Sequence, residues 1–311
     1  MFMRLFAFLV AMFAFSASAV YAAPFNEGFR KCVECHEAEV GVWKETKHAK
    51  SYNDVHKKDA VAKILAAVGG STNMRQNPTC VTCHYTETKA SEDAKPTVAA
   101  GPSCESCHGP SSTWREIHNN YGDGVKEASK EAPANKAKRI AESTKAGMIW
   151  PSMTYDIAAN CMQCHGLAQS KISGDTLDKM LDAGHPGEPE FELVRNSQGI
   201  VRHRFYPPNV NVNSEMNAAE LSRLFIVGQA AALVSATSAS AKATHPKYVA
   251  LQKKREQDAR TALQAVADVP EVKAVLDKPS AEAGRKLAEA LKGKDLSAKV
   301  KSQLPAKSAY K

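Results

Sequence analysis

One motif occurs four times in this chain of 311 residues: Cys32-Val33-Glu34-Cys35-His36, Cys80-Val81-Thr82-Cys83-His84, Cys104-Glu105-Ser106-Cys107-His108 and Cys161-Met162-Gln163-Cys164-His165. Two thiols three positions apart reach the two vinyl groups of one porphyrin as thioethers, and the adjacent histidine is carried under the iron. Rival chemistries do not need this pattern. Structural zinc on paired Cys-x-x-Cys knuckles requires no histidine after every second cysteine. A thioredoxin-like dithiol would occur once, beside a βαβ pattern that is missing here. A disulfide between cysteines three apart staples almost nothing. The motifs consume all eight cysteines. Four covalently bound haem c groups are therefore expected. Cys32, Cys35, Cys80, Cys83, Cys104, Cys107, Cys161 and Cys164 are the attachment points, and His36, His84, His108 and His165 the proximal iron ligands.

Ten histidines occur, so six remain: His48, His56, His118, His185, His203 and His245. If Lys31 to His48 is one helix, His36 and His48 lie roughly 18 Å apart along its axis. Opposite faces of one iron lie much closer than that. His48 then serves another haem, and a continuous helix separates His108 from His118 in the same way. Distal ligands must cross between haems and tie them into one compact cluster. His56 and His245 sit among lysines and read as solvated surface histidines.

The elements that must position these groups are mostly helical. Lys31 to Lys57 has no proline, so a helix can run on from the first motif. Val61, Ile64, Leu65 and Val68 recur at helical spacing, and Gly69-Gly70-Ser71 ends that segment. Asn77-Pro78 breaks helix before the second motif. Ser91 to Pro102 reads as a loop. A short helix is expected through Trp114, Ile117 and His118, and a charged surface helix or pair over Lys126 to Gly147, interrupted by Pro133. Gly166 to Pro208 carries turns with one helical segment near Leu177 to Leu181. Beyond Asn213 three helices are expected, over Met216 to Val234 with Ser214 as N-cap, Tyr248 to Val266, and Ser280 to Leu291. Residues 305–311 read as frayed.

The fold class expected is mainly α: a multihaem cytochrome c with helices and long loops wrapped around a compact haem cluster, plus an all-helical C-terminal appendix. Residues 1–22 read as a signal peptide, 23–213 as the tetrahaem domain and 214–311 as the helical C-terminal region. The leader has Arg4 and the apolar run Leu5 to Phe15, with cleavage near Ala22 and Ala19 as second option. Haem c is attached outside the cytoplasm, so a periplasmic location is expected. No other stretch reads as long and apolar enough to span a membrane, so no stable span is expected after cleavage. Aromatic residues make up only 7% of the chain, so haem faces are expected to fill part of the core. The formal charge of +8 suits docking to an acidic partner or an anionic membrane surface, or equally solvated helix faces. No nucleic-acid partner is expected.

The stretch Lys31-Cys32 to Cys35-His36 with Trp43-Lys44 and His48-Ala49-Lys50, and Gly101 to Pro110 followed by His118, resembles the tetrahaem cytochrome c-554 family of ammonia-oxidising bacteria. The likeness covers residues 25 to 190 and does not reach the appendix. It implies that His48 completes the third haem, His118 the first, and a downstream histidine, matched here by His185, the fourth. It also implies that the second haem, that of His84, lacks a distal ligand, with His203 the residue able to close it. Electron transfer between redox partners is the function implied. A hydroxylamine-oxidising multihaem enzyme is the implied donor, and a cytochrome or quinone-linked protein the acceptor. Two alternatives follow. One is a haem-dependent reductase of nitric oxide or a related small molecule at an open second haem, and the other a subunit of a larger multihaem complex or filament.

Overall fold

The computed structural model describes residues 23–187, 190–207 and 209–311, so the expected leader lies outside the described residues. Helices dominate. After a turn at the first motif come α1 (Glu37–Glu45) and α2 (Lys47–Asp54), then α3 (Val61–Val68) and α4 (Pro78–His84). The expected continuous helix from Lys31 to Lys57 is broken at Thr46, whose backbone is extended (ψ 159°) and whose hydroxyl accepts from Ala49 N as an N-cap. Asn77 does the same for α4, with Pro78 in the first turn, where a missing N–H costs nothing. The stretch expected as a loop after the second motif is partly a hairpin. There β1 (Thr86–Thr88) pairs antiparallel with β2 (Thr97–Ala100).

The third motif forms α5 (Cys104–His108), with α6 (Arg115–His118) close behind. Pro133 opens α7 (Pro133–Lys145) instead of interrupting it, for the same reason that Pro78 opens α4. The fourth motif ends α8 (Thr154–His165), and α9 (Gly174–Asp182) and α10 (Leu193–Ser197) follow. A longer helix then begins, α11 (Ala218–Lys242), capped by a reciprocal Asn217–Glu220 box and not by Ser214. The chain closes with α12 (Pro246–Gln264), α13 (Pro270–Asp277), which the sequence reading missed, α14 (Ala281–Ala290) and α15 (Ser297–Val300).

The main apolar core crosses the expected boundary at residue 213. Tyr155, Ala158 and Met162 of α8 and Leu193 and Val194 of α10 pack with Phe225, Ile226, Ala230 and Leu233 of α11 and with residues of α12 to α15. By length and hydropathy α11 qualifies to cross a membrane, contrary to expectation, because its Ala, Leu and Val run is interrupted by few charges. It lies at the centre of this bundle, with half of the qualifying stretch buried. Residues 305–311 are not frayed. Lys311 N donates to Arg195 O at 2.9 Å, and Ile200 N donates to Lys311 O at 3.1 Å. Among the described residues two smaller apolar clusters lie around Leu177, where Tyr248 of α12 joins, and around Val81.

Candidate haem centres

Three of the four motif histidines are the last residues of their helices: His84 of α4, His108 of α5 and His165 of α8. His36 instead precedes α1 as its N-cap residue. Each meets one further imidazole. His36 and His118 have ring centroids 6.3 Å apart, His84 and His185 6.0 Å, His108 and His203 6.4 Å, and His165 and His48 5.9 Å. A metal-bound imidazole nitrogen sits about 2.0 Å from a first-row metal, so two rings on one metal have centroids about 6 Å apart. All four separations match that span.

The His36–His118 pairing is the one the resemblance implies. The others differ from it. His48 faces His165 of the fourth motif, not His108 of the third. His185 faces His84 of the second motif, not His165, so the expected open face at the second motif is covered. His203 lies against His108. The physical reason is the route of the chain. Gly101, at the end of β2, packs so closely on α2 that a Cβ would overlap the His48 carbonyl, and this close approach sets the placement of α2. After α9 the chain turns at Gly184 (φ 97°), where His185 N donates to Met180 O at 2.9 Å. His56 is exposed on a turn, and His245 lies at the start of α12, 3.6 Å from Asp175. Neither belongs to a ring pair.

The nitrogen not needed by a metal is held elsewhere on several rings. His108 Nδ1 donates to Ile149 O at 2.8 Å, His185 Nδ1 to Pro186 O at 2.9 Å and His203 Nδ1 to Val201 O at 2.7 Å. His118 Nδ1 donates to Arg115 O, and His36 Nδ1 lies 3.5 Å from Glu39. Each contact leaves Nε2 for a metal, the tautomer that ligating histidines use. Burial pushes His84 down to about 4, and it also lowers His48, His108 and His118, so these rings stay neutral and ready to bind metal. The hydrogen bond to Glu39 raises His36. Phe191 stacks on His165 at 4.3 Å and 17°.

Among the described residues no group of three or more His, Cys, Asp or Glu side chains could hold a bare metal ion. Two imidazoles per centre are too few ligands for a bare ion but would suit the iron of a porphyrin, which the motif thiols would attach. Orphaned buried donors fit the same group. Trp114 Nε1, on the ring that meets His118, and Trp150 Nε1 have no partner among the described residues, as expected of donors that would meet carboxylates or water at a haem edge. The thiols of Cys32 and Cys104 touch, as do those of Cys83 and Cys164, and Asn160 Nδ2 of α8 donates to Cys107 O at 3.1 Å. In space the motifs therefore run first, third, fourth, second.

Residues other than the motif cysteines and histidines support this arrangement, and the sequence reading missed them. Glu105, 4% exposed, accepts from Glu27 N and Gly28 N at 2.8 Å each and from Ser111 N at 3.0 Å, with Ser111 Oγ as a fourth donor. Arg139 of α7 chelates Glu131 at 2.7 Å through two nitrogens and donates to His118 O at 2.5 Å. Tyr248, Gln252 and Arg255 of α12 reach the carbonyls after His165. Tyr248 Oη donates to Leu167 O at 2.6 Å, and Gln252 and Arg255 donate to Gly166 O at 2.9 and 3.1 Å. Their spacing on one helix face was the available signal.

Residues 31–109, which hold the first three motifs, match the family described as cytochrome c554 and c-prime. Cytochrome c-554 of Nitrosomonas europaea is 36% identical over 123 residues, covering 36% of this chain and 49% of that protein. The chain thus spans about half the length of the curated relative it matches. No solved structure matches the chain.

Proposed function

We propose, from the match of residues 31–109 to the family described as cytochrome c554 and c-prime, that this protein is an exported tetrahaem electron carrier with two histidines on every iron. The observation that carries the reading is the set of four imidazole pairs at 5.9 to 6.4 Å. His36 with His118 would hold the first iron, His84 with His185 the second, His108 with His203 the third and His165 with His48 the fourth. The eight motif cysteines would supply the thioether bonds. Haem bound in this way supplies reversible one-electron transfer. The protein's own part is to hold the imidazoles oriented, to keep those of His48, His84, His108 and His118 neutral, and to space the four motifs in one file.

The reductase alternative rested on an open second haem. His185 beside His84 counts against it, because an imidazole there would take the position that a small substrate needs. Redox proteins are the proposed partners, with a hydroxylamine-oxidising multihaem enzyme as donor and a cytochrome or quinone-linked acceptor as the classes the resemblance suggests. The periplasm is the proposed location, from the leader and the chemistry of haem attachment. The decisive measurement is low-temperature EPR of the ferric protein together with carbon monoxide binding to the ferrous protein. Four low-spin haems and no carbon monoxide adduct are expected. A high-spin haem that binds carbon monoxide would overturn full histidine ligation and restore the reductase.

A further inference from the structure

His203 and His185 are the two partner histidines that lie on no helix, but His185 follows directly on α9, whereas His203 stands well away from both α10 and α11. It sits in residues 199–213, where the regular structure is one isolated bridge between Phe205 and Asn213. Part of its support is local. Arg204 N donates to Asn213 Oδ1 at 2.9 Å, Asn213 Nδ2 to Arg202 O at 2.5 Å, and Ser214 N to Arg204 O at 3.0 Å.

The rest comes from residues more than a hundred positions away. Lys311 bridges Arg195 O and Ile200 N through its own backbone, at 2.9 and 3.1 Å, and so closes the turn that leaves α10. Gly199 sits flat against it, and a Cβ there would overlap the Lys311 backbone. Tyr310 packs on the main core. Lys307 Nζ reaches both oxygens of Glu215 at 2.7 and 2.8 Å, and Glu215 lies 3.6 Å from the Arg202 guanidinium. On the other side of His203, Arg204 pairs with Glu220 of α11 at 2.8 Å. Both neighbours of His203 are thus tied to the C-terminal bundle, one of them through the final segment.

We propose that residues 305–311 are a strap that positions His203 and thereby holds the sixth ligand on the third haem. This rests on the reading of His203 as that ligand. A ligand carried on a loop must otherwise be ordered at the cost of backbone freedom, and the strap supplies that order in advance. The C-terminal bundle then has a task toward one particular haem and is more than a brace for the cluster.

The test uses the haem-loaded full protein and three variants: His203→Ala, removal of residues 306–311, and Gly199→Ala, which displaces the strap without deleting it. His203→Ala identifies the third haem by its change to a high-spin, carbon-monoxide-binding state. Both strap variants are expected to give the same signature, or a shifted midpoint potential, at that one haem and to leave the other three unchanged. Unshifted spectra and potentials in a folded strap variant would overturn the proposal. So would a uniform change in all four haems, which is what a general structural role would produce. If His203→Ala itself leaves four low-spin haems, the ligation reading fails, and the strap fails with it. If only the strap variants are silent, the ligation reading stands alone.

Discussion

A carboxylate with almost no exposure is costly unless its oxygens are satisfied, and Glu105 meets that condition with two backbone donors before the first motif and the N–H and hydroxyl of Ser111 after the third. It sits between Cys104 and Cys107, at a position that the haem-attachment chemistry leaves free. Its partners belong to the two segments that bring Cys32 against Cys104, so one side chain holds the first and third motifs together. Glu105→Ala takes the acceptor from three backbone N–H groups, while the Ser111 hydroxyl keeps Glu27 Oε2 at 3.2 Å. Hydrogen bonds to charged groups are worth about 1.5–3 kcal/mol each, and a total loss of about 3 kcal/mol is expected after relaxation. Glu105→Gln should cost less, because one oxygen remains. Thermal melting of the loaded protein checks this, and melting points equal to that of the parent would reject the role. The motif residues stand out in the sequence because the thioether attachment proposed for them requires contiguous residues. Which distant histidine meets which motif was not, because that depends on Thr46 breaking a helix, Gly101 admitting α2 and the turn at Gly184. Thr46 and Asn77 did carry legible N-cap chemistry. Glu105 carried none, since its partners are scattered over eighty positions.

At the scale of elements, α8 serves two neighbourhoods at once. Its last turn carries Cys161, Cys164 and His165, while Tyr155, Ala158 and Met162 enter the main core. α12 seals the end of α8, with Arg255 so deeply buried that its guanidinium is pushed down to about 10, still charged at neutral pH. On the other side α14 approaches so closely at Gly284 that a Cβ would overlap the Tyr155 ring. That seam has a pH signature. Burial pushes the Tyr155 phenol up to about 12, against about 10 for an exposed tyrosine. The folded state keeps a proton that the unfolded chain gives up, so the contribution is complete below about pH 10 and is lost as pH rises toward 12. Tyr155→Phe should lower the alkaline slope of the melting temperature between pH 9.5 and about 11.5 while leaving the neutral value little changed. Parallel slopes for the two proteins would show that the seam does not titrate. The legible part here was the helical identity of α12 and α14, and the illegible part was α8 itself and its contact with α14, more than a hundred residues apart.

The whole molecule is joined by the core that crosses residue 213. A chain with a haem domain and an independent appendix would bury two separate cores and melt in two steps. In this chain Tyr155, Met162, Leu193 and Val194, from the haem-bearing half, lie inside the same cluster as α11 to α15. Arg285 of α14 pairs with Asp156 of α8 at 2.8 Å, and Lys311 returns to α10. Change of composition after Asn213 suggested a boundary because cysteines stop there and alanine and lysine increase. Composition does not record which faces meet, and the buried faces of α11 meet α8 and α10. Guanidinium unfolding should therefore give one transition. Ellipticity at about 222 nm, which reports the helices of both halves, and haem absorbance, which reports the imidazole pairs, should share a midpoint and a slope. An early loss of ellipticity with an unchanged haem spectrum would mean that the C-terminal helices unfold alone. The strap would then release His203 in that same early step, so an intact haem spectrum would count against the strap as well as the shared core.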